Sequence, residues 1–251
     1  MTPVPPRIDI YPLPADLVGA AVREILGIIS QSIAARGACT IALAGGETPR
    51  SLYRSLSALG EGEAPDWSRT HLCFGDERMV PPDDPESNYG MVRDELICRI
   101  PIPAGNVHRI RGERPPAVAQ EDYEREMERT LPHSGGNLDI ILLGLGPDGH
   151  TASLFPGTDV VAEREKPVRA VYVPRLSAWR VTLTLPVING ARNVIFIVCG
   201  DSKKEIVRNV LESPGPRAEI PATLVAPAGH GAHWLLDAAA GALLAERKTG
   251  K

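Results

Sequence analysis

His150 stands two residues after Asp148 in a glycine-rich run, Gly144–Gly157, that reads GLGPDGHTASLFPG. An imidazole with an ordinary pKa near ~6.5 can take a proton from water at neutral pH. Glycines on either side let the backbone enter conformations that bring a side chain close to a ligand. Asp148 is near enough to orient the ring or stabilise its cation. A solitary histidine is more often structural, but the glycine-rich setting favours a general base. The same run matches GxGxxG, which invites a dinucleotide reading. Its context fails, because Pro156-Gly157 ends any helix within two turns, whereas a phosphate-binding Rossmann loop opens a long one.

Three other short runs offer complementary chemistry. In Gly45-Gly46-Glu47-Thr48-Pro49 the glycines allow a sharp turn. Thr48 is expected to cap the helix that follows, and Pro49 suits its first turn. Free N–H groups there, with the helix dipole, would bind an anion. Asp76-Glu77-Arg78 places two carboxylates and a guanidinium together. Arg78 suits a phosphate or sugar oxygen, and Asp76 suits sugar hydroxyls. Arg180 begins a strand, and Lys203 follows Gly200-Asp201-Ser202 at a helix start, where a cation makes sense only if it meets an anion. GxSxG, HExxH, CxxC and paired histidines at helical spacing are all missing from the sequence, which disfavours a serine hydrolase and a zinc enzyme. No metal or organic cofactor is expected.

The elements that must hold these runs can be read from hydrophobic periodicity. Strands are expected at 7–11, 39–44, 71–78, 138–144, 168–173, 180–185 and 193–200. Helices are expected at 15–35, about 50–59, 88–97, 118–131 and 202–211. Apolar strands without alternation, separated by helices, imply an α/β fold: a mostly parallel, doubly wound, Rossmann-like sheet with helices on both faces, in a single domain spanning 1–251. In such sheets ligands sit beyond the carboxyl ends of the strands, and Gly45–Pro49, Asp76–Arg78, Gly144–His150 and Gly200–Lys203 all fall there.

Bulk properties narrow the class. The 251 residues carry a net charge of −4, which argues against a nucleic-acid or anionic-membrane partner. No uninterrupted apolar run approaches the roughly 20 residues of a bilayer crossing, and the first residues lack the pattern of a secretory signal. Cys39, Cys73, Cys98 and Cys199 are scattered and read as reduced thiols, hence a cytoplasmic location. A monomer is the default expectation.

The segments at 43–56, 74–92, 139–157, 180–190 and 199–207, in this order, resemble the 6-phosphogluconolactonase family. They cover most of the chain. The wider group includes glucosamine-6-phosphate deaminases, in which the run after the histidine is typically GHIAFNEPG. Here it is GHTASLFPG, with Phe155 in place of the supporting glutamate. The resemblance therefore implies hydrolysis of 6-phospho-D-glucono-1,5-lactone, with an amino-sugar-phosphate deaminase or isomerase, or a non-catalytic sugar-phosphate sensor, as alternatives. It assigns His150 as the base and Asp148 to the same motif. Arg180, Lys203 and the Gly45–Thr48 turn would hold the 6-phosphate, and Asp76 and Arg78 would lie along the sugar. Glu47 stands where the family often has serine, and a carboxylate there helps only if it points away.

Overall fold

The computed structural model describes residues 4–60, 62–227, 229 and 231–245, with the side chain of Ser134 excepted. Its centre is a six-stranded parallel sheet. Strands β1 (Arg7–Tyr11), β2 (Cys39–Leu43), β3 (Thr70–Phe74), β5 (Ile140–Leu143), β8 (Val194–Val198) and β9 (His233–Asp237) lie in the order β1-β9-β8-β5-β2-β3. Every residue of β2, β5, β8 and β9 is buried, as expected for strands covered on both faces. The closing HWLLD run is thus a central strand, paired in parallel with both β1 and β8.

The helices are α1 (Pro14–Arg36), α2 (Glu47–Ser57), α3 (Asn88–Glu95), α4 (Pro116–Thr130), α5 (Leu185–Gly190) and α6 (Lys204–Leu211). By length and mean hydropathy α1 could cross a membrane. Instead it buries Leu17, Ala21, Ile25 and Ile29 and packs on β1, β2, β9 and α2, which makes it a core helix.

The strand expected over 71–78 is divided between two sheets. Gly75 donates its N–H to the carbonyl of Leu43 and accepts from the N–H of Leu183, so the chain leaves the parallel sheet there. It continues as β4 (Asp76–Arg78) in a three-stranded antiparallel sheet with β7 (Ala178–Leu183) and β6 (Val168–Val173), in the order β4-β7-β6. This small sheet sits beside the carboxyl edge of the large one and carries Arg180 to it.

Strand order reverses between β2 and β5: β3, which follows β2, lies on one side, and β8 lies on the other. Loops leaving those two neighbouring ends diverge and open a crevice. The backbone there is completed by side chains. The Tyr53 hydroxyl donates to Ala44 O at 2.7 Å and accepts from Ala44 N at 2.9 Å. The Tyr123 hydroxyl makes the same pair with Phe74 at the end of β3, both at 2.8 Å. These buried tyrosines tie α2 and α4 to the strand ends that carry the site.

Candidate active site

The turn after β2 is shaped by two glycines. A Cβ on Gly45 would lie 1.9 Å from Asn88 Oδ1, so only glycine lets α3 approach. Gly46, at φ 105°, caps α2, and no side chain occupies the cap. Helix α2 therefore begins at Glu47, three residues earlier than expected, and Thr48 is its second residue and not its cap. The first-turn N–H groups of a helix have no partner inside it, and an anion suits them. Glu47 resolves its own apparent conflict: its carboxylate is 86% exposed and accepts from Arg50 Nε at 3.1 Å. At the first position of the helix it also complements the dipole.

The acidic pair on β4 divides its labour. Glu77 is buried and accepts from the N–H groups of Arg78, Asn88 and Tyr89 and from Ser87 Oγ. It fastens the start of α3. Burial raises its pKa against those hydrogen bonds. Asp76 borders the cleft, held by Ser153 Oγ at 2.6 Å and Asn88 Nδ2 at 3.3 Å. Arg78 is registered opposite Arg180 across β4 and β7. Like charges so placed repel, and the Arg180 pKa is lowered by burial and then by the Arg78 charge. Such a pair favours an anion between or beside the two guanidiniums.

His150 hangs over this group from the loop after β5. A Cβ on Gly146 would fall 1.9 Å from His150 Nδ1, so the loop admits the imidazole only because Gly146 has no side chain. The turn is closed by Gly146 N–H to His150 O at 2.8 Å and Gly149 N–H to Gly146 O at 3.0 Å. Asp148 Oδ1 lies 2.5 Å from His150 Nδ1 and also accepts from the His150 backbone N–H at 3.3 Å. A carboxylate only accepts, so Nδ1 carries the proton and the lone pair of Nε2 is left for chemistry. Nε2 makes no hydrogen bond among the described residues. The ring stacks on Phe155 with centroids 4.1 Å apart. Burial lowers the His150 pKa, opposed by Asp148 and Asp76, with Arg175 adding to the lowering. For Asp148 burial acts upward, but the hydrogen bond and charge of His150, with Arg175, prevail and keep its pKa below the usual range.

Gly45, Gly46, Glu47, Thr48, Asp76, Arg78, His150, Arg180 and Lys203 all border one cleft of about 510 Å³. Asp148 stands behind His150, not on the cleft wall. Lys203, in a single 3-10 turn (Asp201–Lys203) ahead of α6, donates from Nζ to Leu145 O at 2.7 Å. Burial lowers its pKa while Asp148 raises it. Asn88, Ser153, Phe155 and Arg175 also line the cleft. Among the described residues, the next helical element after the GxGxxG run is a 3-10 turn, Asp159–Ala162. Among the described residues no group of three or more His, Cys, Asp and Glu has metal-binding geometry.

An imidazole with Nε2 open, in one cleft with guanidiniums, a lysine and an uncapped helix start at a sheet switch point, is an arrangement suited to acid–base chemistry beside a small anion. Comparison with known proteins gives the class a family. Residues 12–234 match the model described as glucosamine-6-phosphate isomerases/6-phosphogluconolactonase, and the chain belongs to that family. It is 39% identical over 241 residues to the 6-phosphogluconolactonase of Homo sapiens, covering 90% of this chain and 92% of that one. It is 39% identical over 204 residues to that of Haemophilus influenzae, covering 81% and 87%. The solved 6-phosphogluconolactonase of Trypanosoma brucei superposes with a TM-score of 0.85 at 31% identity, covering 96% and 100% of the two chains.

Proposed function

We propose that this chain hydrolyses 6-phospho-D-glucono-1,5-lactone to 6-phospho-D-gluconate. The observation that carries the reading is the His150–Asp148 pair backed by Phe155, where a deaminase of the wider family would need an ionisable acid. Phenylalanine cannot assist ring opening of an amino sugar, whereas lactone hydrolysis needs only an activated water and stabilised charge. The names borne by the relatives agree with this reading.

In the proposed step, water lies between His150 Nε2 and the lactone C1. His150 takes its proton as the oxygen attacks, giving a tetrahedral oxyanion. Backbone N–H groups of the loop or Arg78 stabilise that charge. The C1–ring oxygen bond then breaks, and the ring oxygen receives the proton from the imidazolium, regenerating the base. Arg180, Lys203 and the Gly45–Thr48 turn hold the 6-phosphate, and Asp76 and Arg78 lie along the sugar. General-base assistance contributes about 10²–10⁴-fold. Anchoring the phosphate supplies positioning. The same reading takes the substrate as a free small molecule and the enzyme as a cytoplasmic monomer.

Freshly prepared lactone tests the reading. Acid release should exceed the spontaneous rate and saturate with substrate. Wild-type release at background would sink the lactonase reading. Saturable binding without turnover would instead favour a sensor, and ammonia release from glucosamine 6-phosphate would favour a deaminase.

A further inference from the structure

Building on the lactonase reading of this cleft, we propose that Arg175 is a positioning residue for the hydrolysis. From the turn between β6 and β7 it clamps both groups that hold His150 in place. Its Nη2 lies 2.8 Å from Asp148 Oδ2 and 3.4 Å from His150 Nδ1. Its Cζ sits 4.9 Å from the centroid of Phe155, the ring on which His150 also stacks. Asp148 and Phe155 come from the loop that carries the base, whereas Arg175 comes from the small antiparallel sheet. The guanidinium thus joins the two sheets at the reacting end of the cleft.

The need for such a clamp lies in Asp148. Its Oδ1 serves the ring and backbone of His150. Its Oδ2 is buried and takes no well-directed hydrogen bond. The nearby Arg175 charge is what answers it, by attraction and not by a directed bond. A carboxylate with one buried oxygen unanswered would be free to rotate, and rotation would loosen its hold on the Nδ1 tautomer of His150. The turn places Arg175 there by its own geometry: Pro174–Leu176 forms a single 3-10 turn closed by Ser177 at φ 49°. The Arg175 side chain remains 47% exposed, so its electrostatic effect is partly screened.

The charged groups facing His150 are Asp148 and Asp76, which make it more basic, and Arg175, which makes it less so. Removing Arg175 should therefore raise the pKa of His150 and move the acid limb of the rate to higher pH. It should also loosen the ring, which lowers kcat. KM should hold, because the phosphate is bound at other residues.

The test compares Arg175→Gln and Arg175→Lys with wild type, in kcat, KM and the pH profile of kcat. For Arg175→Gln, kcat should fall about tenfold, within the ~10²-fold that a 1 Å misplacement costs. The acid limb should rise and KM stay within about twofold, so that kcat and kcat/KM fall together, as when an interaction made only in the transition state is lost. Arg175→Lys should restore the limb but only part of kcat, since lysine keeps the charge and loses the planar fork. An unchanged kcat and limb in Arg175→Gln would overturn the proposal. So would a raised KM alone, which would make Arg175 a substrate-binding residue. If wild type fails to exceed the spontaneous rate, the lactonase reading is what fails. The clamp is then read by NMR titration of His150, which should shift upward in Arg175→Gln. No shift would overturn it.

Discussion

His150 and His233 each sit at hydrogen-bonding distance from a carboxylate, and of the two only His150 keeps a ring nitrogen open on a cleft. His233 offers Nδ1 to Glu24 at 2.7 Å and Nε2 to Asp9 at 2.9 Å, so both ring nitrogens are committed to joining β9, α1 and β1. His108 repeats the pattern, with Nδ1 on Glu126 at 2.7 Å and Nε2 on His71 at 3.0 Å. His150 spends Nδ1 on Asp148 and leaves Nε2 in a cleft lined by cations. A short histidine–carboxylate contact therefore does not mark a base. Under the proposed function, what marks His150 as the base is its second nitrogen, left open beside cationic side chains.

Substitutions can break that contrast, and the largest effect belongs to the base. His150→Gln should lower kcat by about 10²–10⁴-fold, the usual worth of general-base help, as followed by acid release from fresh lactone. Next is Gly146→Ala, whose added methyl would occupy the space of the imidazole. It should displace the ring and cost about 10²-fold in kcat, with the circular dichroism spectrum unchanged. Tyr53→Phe should leave the chemistry intact but strip the buried Ala44 N–H and carbonyl of their partner. Denaturant unfolding should show a loss of about 1–3 kcal/mol. His233→Gln should be smallest, about 1 kcal/mol of stability by the same measurement, because its carboxylates are partly solvated. Its kcat should match wild type. A large loss of kcat in His233→Gln with stability intact would erase the distinction between the two histidines.

The parallel core and the four loops at its edge were legible in the sequence because uniform burial and glycine turns leave local signatures. Phe155 could be read as a discriminator by its type, but its stacking on His150 could not, because that depends on how the loop folds back. The second sheet was missed although a clue existed. The strands expected at 168–173 and 180–185 are separated by six residues, too few for a parallel crossover, which takes a dozen or more. The break at Gly75 left only a weak local sign, because a lone glycine inside a strand pattern signals a bend but not a change of sheet. Asn88, Ser153 and Arg175 were overlooked for a different reason. Their partners lie 12, 77 and 27 positions away, at Asp76 and Asp148, and pairings set by tertiary approach leave no periodicity. Thr48 was misread as a cap because serine and threonine usually fill that place, whereas here Gly46 leaves it vacant beside the cleft.

The central claim is that His150 acts through a free Nε2 while Asp148 holds Nδ1. It is tested most directly by titrating the ring nitrogens of His150 by NMR and comparing the result with the pH dependence of kcat/KM. Because burial lowers the pKa, the neutral, active form should persist below the ordinary histidine value. Activity should therefore fall off on the acid side only beneath about pH 6.5. The account predicts that the imidazole titration and this acid limb coincide, with the proton of the neutral ring on Nδ1. A ring that titrates while kcat/KM stays flat through the same interval, or a neutral ring protonated on Nε2, would contradict it.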